Sequence, residues 1–67
     1  MKPYKVYNTW VDLEQIVQIG ERYYNPVMDN NYTSIVYKFV SSPISVPVSS
    51  NIKVYNDLIE EWKKNNT

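Results

Sequence analysis

The sequence predicts an α+β fold: a small antiparallel sheet, a meander of about four strands, with one C-terminal helix packed on one of its faces. Three observations carry this reading. Between residues 4 and 48, short runs alternate apolar and polar side chains at the two-residue period of a strand. From residue 51 the period changes, and Ile52, Tyr55, Leu58, Ile59 and Trp62 recur at spacings of three and four, as on one face of a helix. The chain has 67 residues and 43% hydrophobic content, which is enough for one domain with a thin core.

The first strand is expected over residues 4–10, where YKVYNTW is rich in β-formers and follows Pro3, a residue suited to the start of an edge strand. Two periods compete over residues 12–19. Leu13, Ile16 and Val17 fit a helical face, and Asp12 with Gln15 three positions later has the shape of a capping box. Val11, Leu13, Val17 and Ile19 instead fit an alternating strand. A helix here would end at Gly20 after barely two turns, and isolated helices that short are marginal. The favoured reading is therefore a tight turn through Asp12, Leu13 and Glu14, then a strand over 16–24 with a bulge at Gly20.

Residues 25–33 read as a loop. Pro26 biases Asn25 toward an extended backbone, and Asp29, Asn30 and Asn31 tolerate the left-handed conformation that a glycine-free loop needs. A strand is expected over 34–40, with Ile35, Tyr37 and Phe39 on one side and Val36, Lys38 and Val40 on the other. Ser41, Ser42 and Pro43 turn the chain into a last strand over 43–48, and Pro47 places that strand at a sheet edge. The helix is expected over 51–64, capped by Ser50 or Asn51, with Glu60 and Lys64 one turn apart and Lys63 and Lys64 at its negative end.

Composition removes several kinds of chemistry. With neither cysteine nor histidine, disulfides, thiolate sites and the commonest zinc, copper and iron ligands are absent. The seven acids are scattered, so no metal site and no cofactor is expected. A single glycine excludes glycine-rich phosphate loops. Nucleophilic catalysis would rest on an unaided Ser, Thr or Lys, and Asp12 with Glu14 reads as a solvated turn. No catalytic residue is assigned, and the chain is expected not to be an enzyme. No run approaches the length of a membrane span, the N-terminal stretch lacks the apolar core of a signal peptide, and the expected setting is the cytoplasm.

Binding is what remains. Seven tyrosines are the most unusual feature of the composition, and tyrosine supplies a large contact area with a polar tip. Tyr37 and Tyr55 are assigned to the core, with Trp62 as a helix anchor. The stretch ERYYNPVMDNNYTS gathers the candidate binding residues Arg22, Tyr23, Tyr24, Asn25, Asn31 and Tyr32. Arg22 is the only arginine, and strand snorkelling explains it better than a binding role. Aromatics on a sheet also stack nucleic-acid bases, but such platforms sit in positive grooves, and seven basic against seven acidic residues give net charge zero.

In its shortness, its Asn and Tyr richness and its lack of a catalytic set, the chain resembles small accessory proteins of bacteria and their phages. That resemblance is one of composition and carries no residue over. The function expected first is a protein interaction module that associates with itself or another protein through a sheet face that one helix leaves uncovered, or through an edge strand. The alternative is small-ligand or nucleotide sequestration, with Arg22, Tyr24 and the asparagine-rich loop as a polar pocket. Nucleic-acid binding is the weaker third.

Overall fold

The computed structural model describes residues 1–66 and has the α+β architecture: an antiparallel hairpin, a four-stranded antiparallel sheet and one C-terminal helix. The hairpin consists of β1 (Pro3–Val6) and β2 (Thr9–Asp12). The sheet consists of β3 (Ile16–Ile19), β4 (Tyr23–Asn25), β5 (Asn30–Tyr37) and β6 (Ile44–Pro47), and α1 runs over Ile52–Asn65. β5 is the hub, with β3 and β4 paired to it in succession and β6 also paired to it, all antiparallel.

The expected first strand over 4–10 is two strands. The chain reverses at Tyr7 and Asn8, so that Val6 pairs with Thr9 and Tyr4 with Val11. This puts Tyr4, Val6 and Val11 on one face and leaves Trp10, opposite Lys5, 64% exposed. The two-residue turn flips the phase of the alternation, putting Thr9 and Val11 on the face of Val6 in place of Asn8 and Trp10, and the polar pair Asn8 and Thr9 does not display that change. Tyr7 takes φ 55°, a left-handed conformation normally left to Gly, Asn or Asp.

The competition over 12–19 resolves as a short turn and a strand. Asp12 caps a single 3₁₀ turn over Leu13–Gln15, its carboxylate accepting from the Glu14 amide at 3.2 Å and the Lys2 amide at 2.9 Å. Leu13 is buried on that turn and its amide donates to Lys2 O, which ties the hairpin to the start of the sheet.

The loop expected over 25–33 is instead a tight hairpin. Asn25 pairs with Asn30, and four residues, Pro26 to Asp29, make the turn. The Asn25 side chain accepts from the amides of Val27 and Met28, and Asp29 supplies the left-handed residue at φ 50°. β5 therefore begins four residues earlier than expected. It also ends earlier, at Tyr37, where Lys38 N donates to Gln15 O and Val40 N to Tyr37 O. That turn takes Phe39 off the sheet. Expected beside Ile35 and Tyr37, it is 89% exposed, and Val40 also lies in the turn and not on the sheet's second face.

Val6, Val11, Leu13, Ile16, Ile35, Val46, Val48 and Leu58 form the core, with Tyr4, Ile19, Tyr37, Val54, Tyr55 and Trp62 packed around it. The helix is capped by Asn51, whose side chain accepts from Lys53 N at 3.0 Å. Tyr55, Leu58 and Trp62 face inward as expected, whereas Val54 packs inward in place of the exposed Ile52, and Ile59 is half-buried beside the core cluster and not part of it. Ion pairs on the helix surface include Lys53 with Asp57 at 2.8 Å and Lys64 with Glu61 at 3.6 Å, both exposed and worth little.

Two polar fixings join the helix to β3. The Trp62 indole donates to Ile16 O at 3.1 Å and the Tyr55 hydroxyl to Gly20 O at 2.7 Å. These donors lie seven residues apart on one helix face, ~10.5 Å along the axis, and they reach carbonyls at the two ends of β3. Gln15 Oε1 is buried and meets no donor among the described residues.

Two expected outcomes follow from the fold. Tyr7→Gly relieves the left-handed strain and raises the melting temperature by a few degrees in a thermal circular-dichroism scan, on the order of 0.5–1 kcal/mol. Tyr7→Ala, which keeps the strain, gives no such rise. The second concerns pH. Burial pushes the Tyr37 hydroxyl above its ordinary value of 10.0, and burial with the nearby Asp57 and Glu61 does the same for Tyr4. The unfolded chain then loses these protons first, so stability is full below pH ~10 and declines as pH rises above it. Urea midpoints measured from pH 9 to 11.5 show that decline, and it is shallower in Tyr37→Phe.

Candidate functional site

The sheet has two faces, and the residues of β5 define them. Thr33 and Ile35 are fully buried and point to the helix, so Asn31 and Tyr37 share that side, while Tyr32, Ser34 and Val36 point the other way. The strand pairings extend the division. Val46 lies opposite Thr33 on the helix side, and Ser45 and Pro47 lie opposite Ser34 and Tyr32 on the outer side.

A bulge decides which residues of β4 join the outer face. Between the pairs Ile19 with Ile35 and Tyr23 with Tyr32, three residues, 20–22, stand opposite two, 33 and 34. Without the extra residue, Arg22 would lie opposite Tyr32, and Tyr23 would turn toward the helix side. The bulge shifts every later side chain by one place, which in a strand means to the other face. It sits where Gly20 was expected to mark it. Glycine is not demanded by sterics, however, because Gly20 does not have positive φ and a Cβ there would meet Ser34 O at an ordinary 3.5 Å.

What holds the bulge is its carbonyl. Gly20 O accepts from the buried Thr33 hydroxyl at 2.8 Å and from Tyr55 of the helix at 2.7 Å, while Gly20 N donates to Ser34 O at 2.7 Å. Arg22, the last bulge residue, reaches Ser50 O at the start of the helix at 3.2 Å. The only arginine of the chain thus fastens the segment that leads into α1.

The six candidate residues therefore separate. Tyr23, Asn25 and Tyr32 fall on the outer face, and Tyr24 and Asn31, opposite each other in the ladder, fall on the helix side. Tyr23 and Tyr32 stack as a cross-strand pair, with ring centroids 6.3 Å apart and planes at 28°. The Tyr23 hydroxyl shares a 3.0 Å hydrogen bond with Ser45 Oγ on β6, so its side chain leans across β5. Pro47 lies opposite Tyr32 and completes an apolar row across all three strand positions. Asn25 has its carbonyl oxygen committed to the turn amides. Tyr24 donates to Asp29 Oδ1 at 2.5 Å, and this bond holds its hydroxyl above the ordinary tyrosine range.

Sequence reasoning missed Pro47 and Ser45 as members of this surface. Pro47 was legible only as an edge marker, and its neighbourhood depends on a register that the sequence does not display. The turn apex adds Val27, 88% exposed, and Met28. Among the described residues no group of three or more His, Cys, Asp or Glu side chains is placed to hold a metal ion, and no helix is long and apolar enough to cross a membrane.

The class defined by this geometry is a small α+β domain with a stacked tyrosine pair on the sheet face opposite its helix. No protein family, curated protein or solved structure matches the chain.

The bulge is tested by a double-mutant cycle. Tyr55→Phe and Thr33→Val each remove one of the two donors to Gly20 O, and each costs on the order of 1 kcal/mol. The double variant leaves a partly buried carbonyl bare and loses more than the sum, by roughly another 1 kcal/mol in urea unfolding. Simple additivity would show that the two donors do not act on one group.

Proposed function

We propose that this protein is a non-enzymatic interaction module that works through the outer sheet face, and that its first partner is a second copy of the same chain. The observation that carries the reading is the row Tyr23, Tyr32 and Pro47, with Val36 further along β5, on the face that the helix leaves uncovered.

The amount of surface supplies no motive for association. The accessible area of 4527 Å² is close to the ~4,450 Å² that size scaling gives a monomer of this mass. The reading rests on what that surface is made of. Large flat aromatics at an exposed sheet face bury well against a second sheet, and a protein of zero net charge has no long-range repulsion to keep copies apart.

The two edges of the sheet are poorer candidates than its face. One edge carries two bulges, at Val17 and at 20–22, and the other carries Pro47, which has no amide to donate. Bulges and prolines are the usual devices that stop edge-to-edge pairing. The face is also small. Three strand positions at ~4.8 Å by the eight residues of β5 at ~3.4 Å give roughly 390 Å² per copy. Two copies would bury about 800 Å², below the ~1,200–2,000 Å² of stable complexes, so self-association in the micromolar range or weaker is expected. A weak dimer of this kind leaves the face open to exchange with another protein. An accessory or inhibitory role, of the sort small bacterial and phage proteins play, suits such a surface, and the cytoplasm is the setting carried over from the sequence.

The polar pocket around Arg22 and Tyr24 has less support, since both side chains already spend donors within the chain, on Ser50 O and Asp29.

Sedimentation velocity over a concentration series from micromolar to millimolar tests the reading. The expected result is a monomer shifting toward dimer, with Tyr32→Ser and Tyr23→Ser holding the chain monomeric while its circular dichroism is unchanged. A wild-type monomer throughout, or a dimer indifferent to both substitutions, would overturn it.

A further inference from the structure

A second surface lies away from the tyrosine face. The start of β3, the turn after β5 and the last turn of α1 enclose an open groove of about 570 Å³, lined by Ile16, Val17, Lys38, Trp62, Lys63 and Asn66. Its volume is that of a site for a small organic molecule. It is too small for a macromolecular interface, which needs roughly 800 Å² per partner.

The chemistry of the lining is one-sided. Ile16, Val17 and Trp62 make it apolar, and the bulge at Val17 turns that side chain out until it is 51% exposed. The indole N–H of Trp62, its one polar atom, is already spent on Ile16 O, so the ring offers an apolar surface with nothing left to satisfy. The charged groups are two lysines, with no acid among the lining residues. Lys53 and Lys64 have carboxylate partners on the helix, whereas Lys38 and Lys63 make no ion pair within the described residues.

Lysines at a helix C-terminus ordinarily have a local reason to be there, since they satisfy free carbonyls and the negative end of the dipole. Here the capping is done by Asn66. Its backbone amide donates to Trp62 O and Lys63 O, and its side-chain amide donates to Trp62 O at 3.0 Å. Lys63 is thereby left free to serve the groove, and Lys38 enters from an unrelated element, the turn after β5.

We infer that this groove is a binding site for a small amphiphilic anion, a carboxylate on an apolar body, with Lys38 and Lys63 taking the carboxylate and Ile16, Val17 and the Trp62 ring taking the body. The site is separate from the tyrosine face and does not depend on the dimer. Apolar burial alone would serve a neutral ligand equally. Two cations, with no acid among the described lining residues, favour the anion, through charge-assisted hydrogen bonds that weaken as salt rises.

Trp62 reports on the site directly once the other indole is removed, and Trp10 is exposed on the hairpin far along the chain. In a Trp10→Phe background, octanoate and octanol are titrated separately and Trp62 fluorescence is followed, with melting curves recorded in parallel. Octanoate is expected to give a saturable change with a dissociation constant on the order of 1 mM, as befits about ten non-hydrogen atoms in an open groove. Octanol is expected to bind at least tenfold more weakly. Lys38→Gln with Lys63→Gln should bring octanoate down to the level of octanol and leave the melting temperature of the free protein unchanged, since both side chains are exposed. Equal binding of octanoate and octanol, no saturable change with octanoate, or full octanoate affinity in the double variant would each overturn the assignment. Displacement of octanoate by a short polyglutamate peptide with the same change in Trp62 would also overturn it, in favour of an acidic peptide.

Discussion

The arrangement of this protein depends on one inserted residue and the carbonyl that holds it in place. The bulge over 20–22 changes the parity of the strand that faces β5, so that Ile19 points into the core, Tyr23 points away from it, and Arg22 is freed to reach the start of the helix. A bulge of this kind leaves backbone groups without ladder partners, and in a thin domain those groups have little else to bond. Gly20 O is met twice, by the hydroxyl of a buried threonine on β5 and by a tyrosine on the helix. The second contact converts a local irregularity into a tertiary joint. Together with the bond from Trp62 to Ile16 O, it fixes both ends of β3 to one helix face. A core of eight residues in a chain without cysteine is therefore supplemented by directed polar contacts from aromatic side chains. Each of those side chains also buries ring area.

This explains part of the tyrosine content. Tyr55 is a core residue whose hydroxyl has a defined acceptor, and Tyr4 and Tyr37 pack around the same core with hydroxyls that burial keeps protonated. Phenylalanine would fill the same space and leave Gly20 O with one donor fewer. Tyr23, Tyr24 and Tyr32 serve no such purpose. They decorate a hairpin whose geometry is set by Asn25, Pro26 and Asp29, and none of them belongs to the core cluster.

The sequence exposes what depends on local periods and hides what depends on registers. The helix was legible to within a residue or two because its period persists over fourteen residues and its cap is a single asparagine. The resolution of Asp12 to Gln15 as a turn before a strand was legible from the shortness of the competing helix, and the bulge from a lone glycine inside an alternating run. The reversal at Tyr7 and Asn8 was hidden, since the position that takes left-handed geometry carries a tyrosine and not the Gly, Asn or Asp that usually announce it. Phe39 misled for a related reason. Alternation continues past Tyr37, but backbone hydrogen bonds to Gln15 and within the turn end the strand there. Of the candidate binding residues, the sequence put six on one short stretch, and only the bulge reveals that five of them divide between two faces while Arg22 lies in the bulge itself.

That division also bears on how cheaply the outer face could be covered. A tyrosine brought into an interface ordinarily has to find a partner for its hydroxyl or lose free energy when water is removed. The Tyr23 hydroxyl already shares a hydrogen bond with Ser45, across the intervening strand, and the bond also fixes the ring against Tyr32. A partner laid on this face meets a ring that is oriented in advance and whose polar tip needs little from it. Side-chain ordering and polar desolvation are the two costs that most often cancel the gain from a small interface. At Tyr23 both costs are met in folding, which lowers the cost of covering the apolar row of Tyr23, Tyr32 and Pro47.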